Sequence, residues 1–154
     1  MTAPAVVATT DLVAVAWLRT VPGVPAQQVA TTLPADAANW AATGFVQVAV
    51  VGGSPNPHLP VRAPVVAVSC WACAPRQSGK PPWGKASSLA EAVRAGTWGA
   101  AGRVVELPVG GLRARVLEAY VLTEPRRVPD DEAGYARYDL DLALPWTDAS
   151  GVRP

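Results

Sequence analysis

The stretch Tyr135-Ala136-Arg137-Tyr138-Asp139-Leu140-Asp141-Leu142-Ala143-Leu144 decides how the chain is built. Its even positions, Ala136, Tyr138, Leu140, Leu142 and Leu144, are apolar, while the odd ones include Arg137, Asp139 and Asp141. Successive side chains of a strand point to opposite faces. A period of two therefore predicts a strand with one face on a core and one face wet. Two earlier runs, residues 45–51 and 65–73, are rich in β-branched residues and also read as strands. The first is stopped by Gly52-Gly53, and the second is apolar on both faces, which predicts a central position in a sheet.

Outward from these strands the periodicity changes. Residues 10–20 predict a short helix capped by Thr10 or Asp11 and ended by Pro22-Gly23, with Leu12, Val15 and Leu18 or Arg19 along one stripe. Residues 86–97 predict a second helix, with Ala86, Leu89, Ala90 and Val93 on one face, Ser87 or Ser88 near its start and Gly96 at its end. A short strand is expected at 103–107 and a longer one at 113–123. Pro25 and Pro34 break up residues 24–43, and residues 75–83 form a Pro/Gly-rich connection. The order of elements predicts an α+β domain: a mainly antiparallel β-sheet of four to five strands with two helices packed on one face. One domain over residues 1–147 and a frayed tail over 148–154 are expected.

At 154 residues the chain is long enough to bury a core without disulfides. Two Cys do not make a disulfide scaffold. No basic residue precedes Arg19 and Asp11 interrupts the apolar start, so no signal peptide is read. No run reaches the roughly 18 apolar residues of a membrane span. A cytoplasmic origin and no membrane partner are expected. The formal net charge of +1 points to neither nucleic acid nor an anionic membrane as main partner. The charges are nevertheless segregated. Residues 62–115 hold eight basic and two acidic residues, net +6, and residues 118–148 hold eight acidic and three basic, net −5. Opposed blocks suit head-to-tail contacts between copies, or scatter over one solvated surface.

Each motif that looks chemical fails on its chemistry. Gly79 to Lys85 matches the G-x-x-x-x-G-K spacing of a phosphate loop. Pro81 and Pro82 have no amide hydrogen to offer phosphate oxygens, and Ala86 stands where a magnesium-binding hydroxyl belongs. Cys70 and Cys73 form a C-x-x-C, but His58 is the only histidine and there is no second Cys pair, so a zinc site lacks ligands. At the end of a strand, a spacing of three sends the two thiols to opposite faces. Asp139 and Asp141 share one strand face about 7 Å apart, as a hydrolase pair or as ordinary exposed charges. No catalytic residue, metal or cofactor is expected, and the chain reads as a structural protein rather than an enzyme.

Six Trp in this chain invite an account. Trp17, Trp71 and Trp98 fit core positions. Trp40, Trp83 and Trp146 fall in expected loops, where they either anchor protein contacts or fold back onto the core.

The layout resembles the tail terminator proteins of long-tailed bacteriophages, particularly those of high-G+C hosts. The resemblance runs over residues 10–145. It is carried by the helix around Leu12 to Leu18, Thr32-Leu33-Pro34, the strand from Phe45 with its turn Gly52-Gly53, and the strand from Val65. The helix Leu89-Ala90-Glu91-Ala92-Val93-Arg94, then Pro129-Asp130-Asp131, and the strand opening Ala136-Arg137-Tyr138 complete it. It implies an α+β subunit of a hexameric ring in the virion, at the head–tail junction. Such a ring caps the tail tube, stops its polymerisation and meets the head-completion or stopper protein, with DNA passing through the lumen without specific binding. A head–tail stopper or neck connector is the alternative, followed by a small nucleotide- or metal-binding enzyme. On this reading Gly52, Gly53, Pro55, Asn56, Pro57 and His58 form a docking loop. Arg126, Arg127, Asp130, Asp131 and Glu132 lie at the ring seam or lumen, and Trp40, Trp83 and Trp146 are interface aromatics.

Overall fold

The computed structural model describes residues 6–74, 81–129 and 134–151. In chain order it contains α1 (Thr10–Leu18), β1 (Val29–Ala30), β2 (Phe45–Gly53), β3 (Pro64–Cys73), α2 (Trp83–Gly96), β4 (Arg103–Glu106), β5 (Arg113–Val116), β6 (Tyr120–Val128), β7 (Tyr135–Ala143) and β8 (Trp146–Asp148). The fold is α+β. Five strands in the order β1-β2-β3-β7-β6 form the main sheet, antiparallel except for the short parallel β1–β2 pair. A second antiparallel sheet, β4-β5-β8, was not expected from the sequence.

The alternation in β7 sets the register. Leu140 pairs with Val68 and Leu142 with Val66, while Asp139 pairs with Ser69 and Asp141 with Ala67. One face of the sheet thus gathers Val46, Val48, Val66, Val68, Cys70, Leu140 and Leu142 into the core shared with both helices. Strand β3 is central, as expected, but only one of its faces is buried; its burial alternates along its whole length. The opposite face is not covered by a helix, and the small side chains of Ala67 and Ser69 are only half-buried there.

Both helices lie where the sequence places them, with adjusted ends. Thr9 caps α1, its hydroxyl accepting the Leu12 N–H at 3.4 Å, one residue ahead of the expected Thr10 or Asp11. The buried residues are Thr10, Val13, Ala14, Ala16, Trp17 and Leu18; of the expected stripe Leu18 is among them, while Leu12 and Val15 are only half-buried. In α2 the buried residues are Ala86, Leu89, Ala90 and Val93, the expected face. The helix begins at Trp83 directly after Pro82, so Ser87 and Ser88 lie inside it and do not cap it.

The expected strand at 113–123 is in fact two. The Leu117 N–H donates to the carbonyl of Pro145 at 2.9 Å, and there the chain leaves the small sheet for the edge of the large one. The expected tail at 148–154 is likewise corrected over its first residues. Asp148 belongs to β8 opposite Ala114, and the Ser150 hydroxyl both accepts from the Arg113 N–H and donates to the Arg113 carbonyl. Residues 152–154 lie outside the described residues.

Edge strand β6 shows how its free side is blunted. Pro125 falls between Thr123 and Arg126, where the register with β7 shifts, and Glu124, Arg126 and Arg127 surround it. A proline, bulges and charges all discourage further strand pairing. At the far end of the sheet Gly44 has φ +81°, and a methyl group there would lie 2.5 Å from Leu89 Cδ1 and 2.9 Å from the Trp71 carbonyl. Glycine is required on both counts.

Candidate functional site

The expected docking loop is the most exposed continuous part of the described chain. Every residue from 49 to 60 is exposed, including Val50, Val51 and Leu59. Its form is set locally. The Asn56 side-chain oxygen accepts the His58 and Leu59 amides at 2.9 and 3.1 Å, an Asx turn that shapes the tip between Pro55, Pro57 and Pro60. Its base is held to the small sheet. Thr147 donates to the Pro60 carbonyl at 3.1 Å, and Arg62 bridges to Trp146 through two backbone bonds. No Asp, Glu, Lys or Arg lies between Asp36 and Arg62, so the loop carries none of these charged side chains.

The tryptophans are distributed differently from the expectation. Trp40 is 1% exposed and Trp146 is 2% exposed, so both fold onto their own chain and are withdrawn as interface aromatics. Trp40 packs against Phe45 and Tyr135 with ring centroids 6.1 and 6.0 Å apart, and so seals one end of the helix-free sheet face. Trp83 is half-buried beneath the Arg127 guanidinium, 3.7 Å from the ring centroid, and meets Tyr138 edge-on. Trp98, expected in the core, is 76% exposed. Helix α2 ends at Gly96, and Trp98 sits in the tight turn that follows, before Gly99. The flanking glycines were the signal available in the sequence.

Trp98 lines a concavity of about 450 Å³ together with Arg94, Thr97, Glu118, Tyr120 and Glu124. The Arg94 guanidinium lies 5.1 Å from the Trp98 ring centroid and is held by Glu91 at 2.6 Å. The Glu91 carboxylate, with a smaller contribution from the Glu124 charge, raises the Arg94 pKa above its already high value. Tyr120 and Leu122 beside it are 46% and 50% exposed. A second concavity, of about 680 Å³, runs between α1 and β1 over Leu12 and Val15, with Asp11 and Glu106 on its walls.

Of the expected seam residues, Arg126 reaches Asp141 at 3.8 Å and Arg127 covers Trp83. Asp130, Asp131 and Glu132 lie outside the described residues. Asp139 and Asp141 do share the helix-free face, but each has its own partners. Arg137 grips Asp139 through two bonds of 2.8 Å while lying 5.1 Å from the Trp71 ring centroid, and Thr123 donates to Asp141 at 3.0 Å. Neither carboxylate is arranged to act on the other.

The remaining motifs fall as follows. Lys85 donates to the carbonyls of Ala41 and Ala42, so its ammonium ties α2 to the segment before β2. Gly79 and Lys80 of the expected phosphate-loop spacing lie outside the described residues. Cys70 is fully buried and Cys73 half-buried on the other face, both as free thiols. Burial, assisted by the charge of Asp139, pushes the Cys70 thiol far above its ordinary pKa. Among the described residues no three His, Cys, Asp or Glu side chains gather as metal ligands, and no helix is long and apolar enough to cross a membrane.

No protein-family model matches the chain, and no curated protein matches it significantly.

Proposed function

We propose that this chain is a structural subunit of a phage tail. Copies of it, six on the reading above, form a ring that caps the head-proximal end of the tail tube and meets the head-completion or stopper protein. The observation that supports this reading is the exposed end of the β2–β3 hairpin. Twelve consecutive residues, 49–60, stand in solvent with Val50, Val51 and Leu59 uncovered, and an Asx turn and three prolines restrict the loop. Such a loop loses little conformational entropy on binding, and apolar side chains held outside a core are suited to meet another protein. DNA in the lumen of such a ring would pass without specific binding, and no cofactor enters the reading.

Purified tail tubes test this directly. Incubated with the protein and viewed by electron microscopy, the tubes are expected to carry density at one end only. A variant lacking residues 52–58 is expected to lose that binding. Binding to the head portal complex instead would make the chain a stopper or neck protein. Binding to neither, or bound nucleotide or stoichiometric zinc in purified protein, would overturn the assembly reading.

A further inference from the structure

Two surface patches of opposite character lie on this one chain. The first is the Trp98 concavity. Its rim carries Glu118 and Glu124, both exposed and without an ion pair among the described residues, around the exposed rings of Trp98 and Tyr120. Arg94 is engaged by Glu91 and lies 5.1 Å from the Trp98 ring centroid, and with Glu118 and Glu124 the rim carries an excess of negative charge. Trp, Tyr and Arg are the residues that dominate binding energy at protein interfaces.

The second patch is the outer face of the small sheet. The register puts Val105, Ala114 and Val116 inward and Val104, Arg115 and Thr147 outward. Val104 is exposed and sits opposite Arg115. Arg115 has no carboxylate partner among the described residues; Glu106 and Arg113, paired with each other at 3.6 Å, share this outer face, whereas Arg103 stands opposite Val116 and donates to the Thr20 hydroxyl. All four ion pairs of the described chain join residues within the same charge block, Arg94 to Glu91 and Arg113 to Glu106 in the basic one, Arg126 to Asp141 and Arg137 to Asp139 in the acidic one. Among the described residues no ion pair joins the two blocks, and the Glu124 charge acts only weakly on Arg94.

We propose that the Trp98 concavity is the docking site for a second copy of this chain, whose small-sheet face enters it with Val104 against the aromatic wall and Arg115 between Glu118 and Glu124. Different patches of the two copies meet, the kind of contact that repeated association requires. The inference rests on the assembly reading above and supplies the contact surface for it. An arginine brought against Tyr120 and two carboxylates gains both ion pairing and cation–π attraction once water is excluded.

Sedimentation velocity of the full chain tests it. The wild type is expected to associate at low salt and to shift towards monomer as salt rises. Trp98→Ala, the double variant E118R/E124R and R115E are each expected to weaken association at least tenfold, with melting temperatures unchanged because all these side chains are at the surface. Mixing E118R/E124R with R115E is expected to restore association, since one supplies an intact arginine face and the other an intact concavity. That mixing result also excludes misfolding as the cause of the loss. A wild type that stays monomeric, association indifferent to these substitutions, or no restoration on mixing would overturn the inference. Tube binding separates it from the function. Association indifferent to the variants while tubes are still capped removes only this contact, and association that follows the variants while tubes are never bound removes only the tail reading.

Discussion

The indole Nε1–H of Trp146 donates to the Thr10 hydroxyl at 3.1 Å, joining the last strand to the first turn of the first helix across 136 residues of chain. Both residues are buried, so the bond is made away from water. Trp17, equally buried in the same core, has an indole N–H that meets no acceptor among the described residues.

This contrast predicts different costs for one substitution. Trp→Phe removes the same volume at either site. At 146 it also leaves the Thr10 hydroxyl buried without its donor, whereas at 17 it removes an unsatisfied N–H. Trp146→Phe is expected to be more destabilising than Trp17→Phe by about 1–3 kcal/mol in urea unfolding. Equal losses would mean that the Thr10 bond contributes nothing net.

Trp98→Ala extends the comparison to the surface. Truncating a buried Trp typically costs about 3–5 kcal/mol, and Trp146→Ala is expected in that range. Trp98→Ala is expected to stay within about 0.5 kcal/mol of wild type. Thermal melts of the two variants distinguish them at once.

Gly44→Ala combines two penalties. The positive φ disfavours any side chain, and the new methyl would press on Leu89 and the Trp71 carbonyl. A loss of about 2–4 kcal/mol is expected from strain and overpacking together. Trimming Leu89 to Ala in the same chain should recover part of that loss, because the side-chain clash is then relieved. A double variant no less destabilised than the sum of the two single ones would refute this.

The thiols predict a chemical and a pH effect. Cys73 is expected to react with a thiol reagent in the native protein, and Cys70 only as fast as the chain unfolds. Because burial raises the Cys70 pKa, the folded state keeps a proton that the unfolded state gives up above about pH 8.5. The unfolded state then binds fewer protons, so stability is expected to be fully present below that pH and to fall as pH rises above it. Cys70→Ala should abolish that part of the alkaline decline in urea titrations at several pH values.

Asp139→Ala is expected to cost about 1–2 kcal/mol, more than an ordinary surface pair, because its side chain is mostly buried and Arg137 binds it in two places. Loss of less than about 0.3 kcal/mol in a melt at physiological salt would place this pair with the solvent-screened ones.

The sequence by itself determined the elements whose side chains repeat with a clear period. Leu140 and Leu142 alternate with Asp139 and Asp141, and that alternation is enough to define a strand and its inward face. The spacing of Ala86, Leu89, Ala90 and Val93 does the same for α2. The exposed loop from Ser54 was legible too, because its prolines forbid regular structure there, but the expected strand stop at Gly52-Gly53 was not, since both glycines pair with β3 and β2 runs through them. Only the tertiary structure decided where segments without a period belong. Nothing local says that 113–116 and 120–128 lie in different sheets; the Leu117 bond to Pro145 does, and it joins residues far apart in sequence. The tryptophans make the same point. An indole is apolar enough for a core and polar enough for a surface, so its location depends on which distant partner it finds. Trp146 finds Thr10 and is buried, Trp40 finds Phe45 and Tyr135, and Trp98 meets Arg94 at the rim of a helix end and remains in water.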